Sequence, residues 1–437
     1  MRRSFRSLVE MDSFKYVVIG NSAAGIATVE GIRKLDKEGS IAVISDEDML
    51  AYCRCLTSYF IKGKVDKDGL LFRPKTFYDD FKVEPFLGKK AIKIDPDEQW
   101  VKLEDGTQLG YEQLMLATGA SAVVYDMPGH DKDGVYVLRK FEDAKKILSK
   151  AGKGKKAAVL GGGLVGLKTA DALHALGVET WVIITSGQVM SQTMDPEGAR
   201  IIQERLEENG LHVMTKTSVE EILGDESVKG IRVSSGAVME CDMVVFGKGV
   251  FPNISLAVDA GIEADYGILV DDHMRTSIPN IYSGGDVAEA KDLIRGGRYI
   301  HGIWPNAVEQ GKVAGQNMAG GDVEYEGGMG MNSVELFHLP SISMGVTKLR
   351  KPDPSYEFLS ASDPERSFYR KIAIKDGRLV GAVCIGIVEN AGIFGELIRQ
   401  KVDVSGIKDV LLDEGFDYAK LHDLHILDDK DIFIRAK

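Results

Sequence analysis

Tyr16-Val17-Val18-Ile19-Gly20-Asn21-Ser22-Ala23-Ala24-Gly25 is the stretch on which the fold turns. Four apolar residues in succession read as a strand buried on both faces, the habit of parallel sheets. Small residues follow at once, then a helical pattern to about Leu35 and a second apolar run, Ile41-Ala42-Val43-Ile44. Strand, helix and strand in that order and length make a βαβ unit. Small residues at its first turn let the backbone come close to a pyrophosphate, whose charge then faces the helix N-terminus. Gly20, Ser22, Ala23, Ala24 and Gly25 are therefore candidate contacts for a dinucleotide. Ser22 replaces the middle glycine of G-x-G-x-x-G, so taken alone the stretch also suits a tight turn that binds nothing. Asp46 and Glu47 lie where the second strand ends, placed to accept hydrogen bonds from a ribose. Two solvated loop acids would look the same.

The pattern then repeats. Ala157-Ala158-Val159-Leu160 is a second strand, and Gly161-Gly162-Gly163-Leu164-Val165-Gly166 is a complete G-x-G-x-x-G. A helix runs to about Leu176, Gly177 ends it, and residues 180–184 form the next strand. One such motif is weak evidence. Two of them, about 140 residues apart and each in βαβ context, point to two bound dinucleotides. Further small-residue signatures close two more strands: Ala117-Thr118-Gly119 after Gln113-Leu114-Met115, and Gly284-Gly285-Asp286 after Ile281-Tyr282-Ser283.

Composition narrows the class. The 437 residues suffice for about two to four domains, and 44% apolar with 27% charged residues is the balance of a globular protein. A formal charge of −12 argues against non-specific binding to nucleic acid. No run approaches the roughly 18 apolar residues of a membrane span. Residues 1–10 carry three arginines with no apolar segment behind them, so a loose extension is expected there and not a signal peptide. Four cysteines make no disulfide framework, and a cytoplasmic protein with reduced thiols is expected. Cys241 and Cys384 sit in apolar strand patterns and read as core. Cys53 and Cys55 are too close for an unstrained disulfide, and C-x-C alone is no metal site, so no metal is expected.

Taken together, the two glycine loops, Ala117-Thr118-Gly119, Gly247-Lys248-Gly249-Val250-Phe251-Pro252-Asn253 and Gly284-Gly285-Asp286 resemble the FAD-dependent pyridine nucleotide–disulfide oxidoreductases. The likeness is to the branch holding NADH oxidases, rubredoxin and ferredoxin reductases and the flavin half of nitrite reductase. It covers nearly the whole chain from Lys15 onward. It implies an α/β protein with two Rossmann-type domains, one inserted in the other. FAD would occupy a discontinuous domain, residues 13–125 and 254–322, behind an extension at 1–12. NADH or NADPH would bind to residues 126–253. Residues 323–437 would be an α+β domain that forms the homodimer interface in relatives. The residues themselves agree there: strands at 367–374 and 378–385 flank the turn Asp376-Gly377, and an amphipathic helix follows at 390–402.

By position, the resemblance places Asp286 on the FAD ribitol, Arg54 beside the flavin or its pyrophosphate, and the helix opening at Trp304 against the isoalloxazine. Trp304 is equally read as simple packing. Gly161, Gly163, Leu164, Val165, Gly166, Ile184 and Gly249 would line the nicotinamide nucleotide. Three departures carry information. The family's C-x-x-x-x-C pair is absent, and Cys55 falls where coenzyme A–disulfide reductases keep a single redox cysteine. A helix start and Arg54 beside it would lower its thiol pKa, whereas a small gap-filling residue is the plain alternative. Lys168 stands where relatives carry a glutamate near flavin N5; it favours electron-rich flavin, pairs with an acid, or is a solvated helix lysine. The strand end Ile184-Thr185-Ser186-Gly187-Gln188 has neither an acid to hold a ribose diol nor an arginine to grip a 2′-phosphate, so weak coenzyme discrimination is expected. The expected function is electron transfer between a nicotinamide nucleotide and an iron–sulfur protein. Reduction of a disulfide, persulfide, peroxide or oxygen through Cys55 is the second reading, and a non-enzymatic flavin redox sensor is the third.

Overall fold

The structure, a computed structural model, describes residues 11–423. Residues 1–10 of the expected extension lie outside this range. The chain is mixed α/β, with two nucleotide-type sheets and an antiparallel C-terminal sheet. It divides into two compact units. The first contains the chain up to Arg54, Asp66–Ser121 and Phe251–Gly328, and the second contains Cys55–Val65, Ala122–Val250 and the chain from Met329.

In the first unit, strand Asp12–Ile19 runs parallel to Ile41–Ile44 on one side and to Gln108–Leu116 on the other. Val83–Phe86 continues the sheet outward from Ile41–Ile44. The far edge of Gln108–Leu116 is shared: Trp100–Leu103 pairs antiparallel with its start, and Ile281–Ser283 pairs parallel with its end. Tyr16, Val17 and Val18 are wholly buried because the strand has sheet on both sides and structure on both faces. Helix Ala23–Leu35 covers one face and meets helix Trp304–Met318 through glycine. A Cβ on Gly311 would fall 2.2 Å from the Ala24 carbonyl oxygen, and one on Gly315 would fall 2.2 Å from that of Thr28. The two helices therefore touch backbone to backbone.

The approach to helix Trp304–Met318 is fixed by a buried carboxylate. Asp292 accepts from the amides of Ile294 (2.8 Å) and Arg295 (2.6 Å), from the Arg295 guanidinium (3.0 Å) and from His301 Nε2 (3.0 Å). Burial alone would raise the Asp292 pKa, but these donors outweigh it and hold the carboxyl at about 2. A carboxylate only accepts, so the proton in this bond resides on His301 Nε2.

In the second unit, five parallel strands run in the order His212–Met214, Glu179–Ile183, Lys156–Leu160, Met243–Phe246, Val135–Val137. Helices Leu164–Ala175 and Pro196–Glu208 belong to this nucleotide fold. The C-terminal sheet joins it through Asp195, which caps helix Pro196–Glu208 at Gly198 N and also accepts from Tyr369 Oη and Lys371 Nζ, each at 2.6 Å. Strands Phe368–Lys375 and Arg378–Ile385 form the hairpin, with Asp376 and Gly377 both left-handed at φ 51° and 75°. The helix read at 390–402 is shorter, Ala391–Arg399, because Lys401 turns left-handed at φ 54°. Among the described residues no helix is long and apolar enough to cross a membrane.

Gly311→Ala replaces glycine by the best helix former, which would add about 1 kcal/mol were the site open. Here it should lower stability by roughly 1–3 kcal/mol through overpacking, read as an earlier midpoint of urea unfolding; a later midpoint would refute the backbone contact. Asp292 has its folded pKa depressed, so its contribution is complete above the unfolded value near 4 and is lost as pH falls through about 2. The shift corresponds to about 2 kcal/mol, and Asp292→Asn should flatten the stability of the protein between about pH 4 and 2 while wild type falls. Parallel acid titrations of the two proteins would contradict this.

Candidate dinucleotide sites

Each unit builds its glycine loop on the same contact. Gly20 has φ 129°, and a Cβ there would lie 2.1 Å from the Ala117 carbonyl oxygen. Gly161 also has φ 129°, and its Cβ would lie 2.4 Å from the Gly247 carbonyl oxygen. Within the loops, a Cβ on Gly25 would strike Gly20 O at 1.8 Å and one on Gly166 would strike Gly161 O at 2.0 Å. No side chain fits at any of the four positions. The loops bring the ends of neighbouring strands into backbone contact and turn directly into a helix.

In the first unit this contact gathers the separate signatures. Ala117 donates its amide to Ile19 O at 2.8 Å. Thr118 is locked to Asn253: its hydroxyl donates to Asn253 O at 3.0 Å, and Asn253 Nδ2 returns a bond to Thr118 O at 2.9 Å. The Asn253 amide donates to Gly119 O at 2.9 Å. Gly285, left-handed at φ 82°, lies against Ala24 and donates its amide to Gln310 Oε1 at 2.8 Å. Gly302 lies next to the Asp286 carboxyl, whose Cγ would be 3.5 Å from a Cβ at that position, an ordinary contact. Trp304 opens its helix and packs edge-on to Phe72, ring centroids 4.9 Å apart. Residues 20–25, 117–119 and 285 thus meet at the N-terminus of helix Ala23–Leu35. Ser22 makes no side-chain cap there, and the first turn carries no acid. Uncapped amides, small side chains and no negative charge fit a pyrophosphate.

The two acids after strand Ile41–Ile44 part company. Glu47 accepts from Arg54 Nη2 at 2.5 Å and from Tyr52 Oη at 2.7 Å, so its carboxylate holds protein groups. Asp46 is exposed. Arg54 also lies over the Tyr52 ring, 5.2 Å from its centroid. Sequence reasoning missed Asn21, which ties the loop down: its amide donates to Met49 O at 3.1 Å, and its oxygen accepts from the buried Tyr78 hydroxyl at 2.7 Å. Its position inside the glycine loop was the only available signal.

In the second unit Gly163 faces open space at the start of helix Leu164–Ala175, again with no side-chain cap and no acid in the first turn. Leu164 is half-buried, Val165 is exposed, and Gly249 is left-handed with nothing within 4 Å of a Cβ. Ile184 corrects an expectation. The strand ends one residue earlier, at Ile183, and Ile184 is 4% exposed, in the core with Val189. Its Cδ1 would lie 2.4 Å from a Cβ on Gly162. It is an apolar wall behind the loop, and a glutamate there would bury a charge instead of meeting a ribose.

Cys55 is exposed, in the 3-10 turn Arg54–Leu56, and is outside any disulfide. Beside it, Arg54 is paired with Glu47, and the helix that follows, Thr57–Ile61, is five residues long. Lys168 donates to Tyr59 Oη at 3.0 Å and sits over that ring, 4.1 Å from its centroid. Its partner is thus a phenol and not an acid. Lys62 pairs with the buried Asp171, and Phe60 meets Phe141 edge-on at 4.9 Å. These contacts anchor the Cys55–Val65 segment to the second unit. Cys241 and Cys384 are buried, and burial pushes their thiols up to about 12 and about 11.

Known proteins share this organisation. Residues 14–311 match the pyridine nucleotide-disulphide oxidoreductase family, and residues 331–402 match the rubredoxin NAD+ reductase C-terminal domain. An NADH oxidase of Methanocaldococcus jannaschii is 32% identical over 416 residues, 90% of each chain. A nitrite reductase, NAD(P)H, of Bacillus subtilis is 30% identical over 90% of this chain, which spans only 48% of that relative. The structure of a NAD-dependent persulfide reductase from A. fulgidus is similar with a TM-score of 0.83 and 28% identity, covering 92% of this chain and 79% of that one. Paired glycine loops of one geometry and a family match over most of the chain lead to one conclusion: the chain belongs to the pyridine nucleotide-disulphide oxidoreductases, oxidoreductases that work with FAD and a nicotinamide nucleotide.

Proposed function

We propose that the chain is an NAD(P)H oxidoreductase that passes electrons between a nicotinamide nucleotide and an iron–sulfur protein of ferredoxin or rubredoxin type. The observation that carries the nucleotide half is the repeated contact of Gly20 with Ala117 and of Gly161 with Gly247. Support for the acceptor is the likeness of residues 331–402 to the C-terminal domain of rubredoxin NAD+ reductase. FAD, when bound, accepts a hydride and releases electrons singly, which suits a one-electron partner. The loop at Gly20 and Gly25, with Asp46 and Asp286, would hold FAD, while Gly161, Gly163 and Gly166 would hold the nicotinamide nucleotide. A homodimer in the cytoplasm completes the proposal.

A second reading rests on the exposed Cys55 thiol and on the similarity to a persulfide reductase structure. There the Cys55 thiolate would attack a disulfide substrate, forming a mixed disulfide and releasing the other half as a thiolate, and a hydride passed from the nicotinamide nucleotide through FAD would supply the two electrons that reduce the mixed disulfide.

Purified protein should be yellow and release about one FAD per chain on acid precipitation; a colourless protein that no added FAD restores would end the proposal. Anaerobic NADH or NADPH should bleach the flavin in wild type and in Cys55→Ser alike. With an iron–sulfur acceptor, steady-state turnover of the serine variant should stay within about threefold of wild type. If turnover on a disulfide or persulfide substrate falls by orders of magnitude in the serine variant while bleaching stays normal, the sulfur reading replaces the iron–sulfur one, because a hydroxyl cannot form the mixed disulfide.

A further inference from the structure

The turn after strand Glu179–Ile183 decides between NADH and NADPH in nucleotide folds of this kind, since the 2′ position of the adenosine ribose faces it. Read along the chain, residues 184–188 are neutral. In space they are not. Lys248, from the end of the parallel strand Met243–Phe246, donates through Nζ to Thr185 Oγ1 at 3.3 Å. Its Nζ lies over the Tyr125 ring, 4.9 Å from the centroid. Lys216, from beyond strand His212–Met214, runs beside Gly187, whose Cβ would be 3.6 Å from Lys216 Cε. Its amide is fixed to Ser186 O at 3.0 Å. The Lys248 ammonium, the Lys216 side chain and the Thr185 hydroxyl therefore lie at a turn that carries no acid. Among the described residues neither lysine has an acidic partner within ion-pair distance. Partial burial pulls the Lys248 pKa down, the mark of a cation that no counter-charge balances.

We propose that Lys248, assisted by Lys216 and Thr185, binds the 2′-phosphate of NADPH and makes the chain an NADPH-preferring enzyme. The inference deepens the proposed function and rests on it. A 2′-phosphate carries close to two negative charges at neutral pH and offers three acceptor oxygens, which matches two lysines and a hydroxyl. The alternative occupant of Lys248 is the pyrophosphate that both nucleotides share.

Calorimetric titration of the FAD-loaded protein with adenosine 2′,5′-bisphosphate and with AMP separates the two, because only the first carries the 2′-phosphate. Wild type should bind the bisphosphate at least ten times more tightly, and rising salt should narrow the ratio. Lys248→Gln should bring the ratio within about threefold, and Lys248→Arg should retain it. A ratio, unlike an affinity, is insensitive to general damage at the site. Equal affinities in wild type, or a ratio unchanged by Lys248→Gln, would overturn the inference. If NADH still bleaches the flavin in that case, the proposed function stands without it; if neither nucleotide bleaches the flavin, both fall.

Discussion

A carbonyl oxygen occupies the space that a side chain on the first loop glycine would need, once in each unit: Ala117 against Gly20, Gly247 against Gly161. Everything at the two candidate sites follows from that approach. It brings the ends of adjacent parallel strands together, so the loop between strand and helix is short and the helix amides emerge uncapped. It also explains why small residues recur far from the glycine loops themselves. Ala117-Thr118-Gly119 and Gly247-Lys248-Gly249 are the opposite walls of the same contacts. The similarity of the two units is thus a matter of backbone packing, more than of shared side chains.

Features of this kind are legible along the chain because they are local. A strand, a tight turn and a helix in order leave their periodicity and their small residues in one window; the second βαβ unit was drawn to within a residue or two, and the first likewise except that its strand begins at Asp12, four residues before Tyr16. The hairpin at Asp376-Gly377 was readable for the same reason, since positive φ at two successive positions selects the residue types. Side-chain partners were not legible. Glu47 and Arg54 are seven residues apart, yet their pairing depends on how the intervening loop folds back. Lys168 and Tyr59 are separated by 109 residues, and Lys248 and Thr185 by 63. Ile184 was misjudged because the apolar run Val182-Ile183-Ile184 stays buried past the end of its strand, and the sequence does not show where the strand stops.

The electrostatics repeat this division between composition and placement. A chain with formal charge −12 would be expected to repel a polyphosphate. Both candidate helix starts nonetheless lack acids in their first turns, and the acids nearby in the first unit are engaged or set at the strand end. Salt largely screens the net charge beyond the Debye length of about 8 Å; within the site, individual groups decide.

The glycine-to-carbonyl packing of helix Ala23–Leu35 on helix Trp304–Met318 has a consequence for biosynthesis. A ribosome delivers the first helix almost 270 residues before its partner. The segment Ala122–Val250, with all five strands of its own parallel sheet, emerges in between and can fold while the first unit still waits for Ile281–Ser283 and the closing helix. Closing a loop that long costs little more entropy than closing one of half the length, but it delays the event. Until then the apolar faces of Asp12–Ile19 and Ala23–Leu35 lack their cover. The nascent chain is therefore most exposed to aggregation and most dependent on chaperones in the interval before residue 318 clears the exit tunnel.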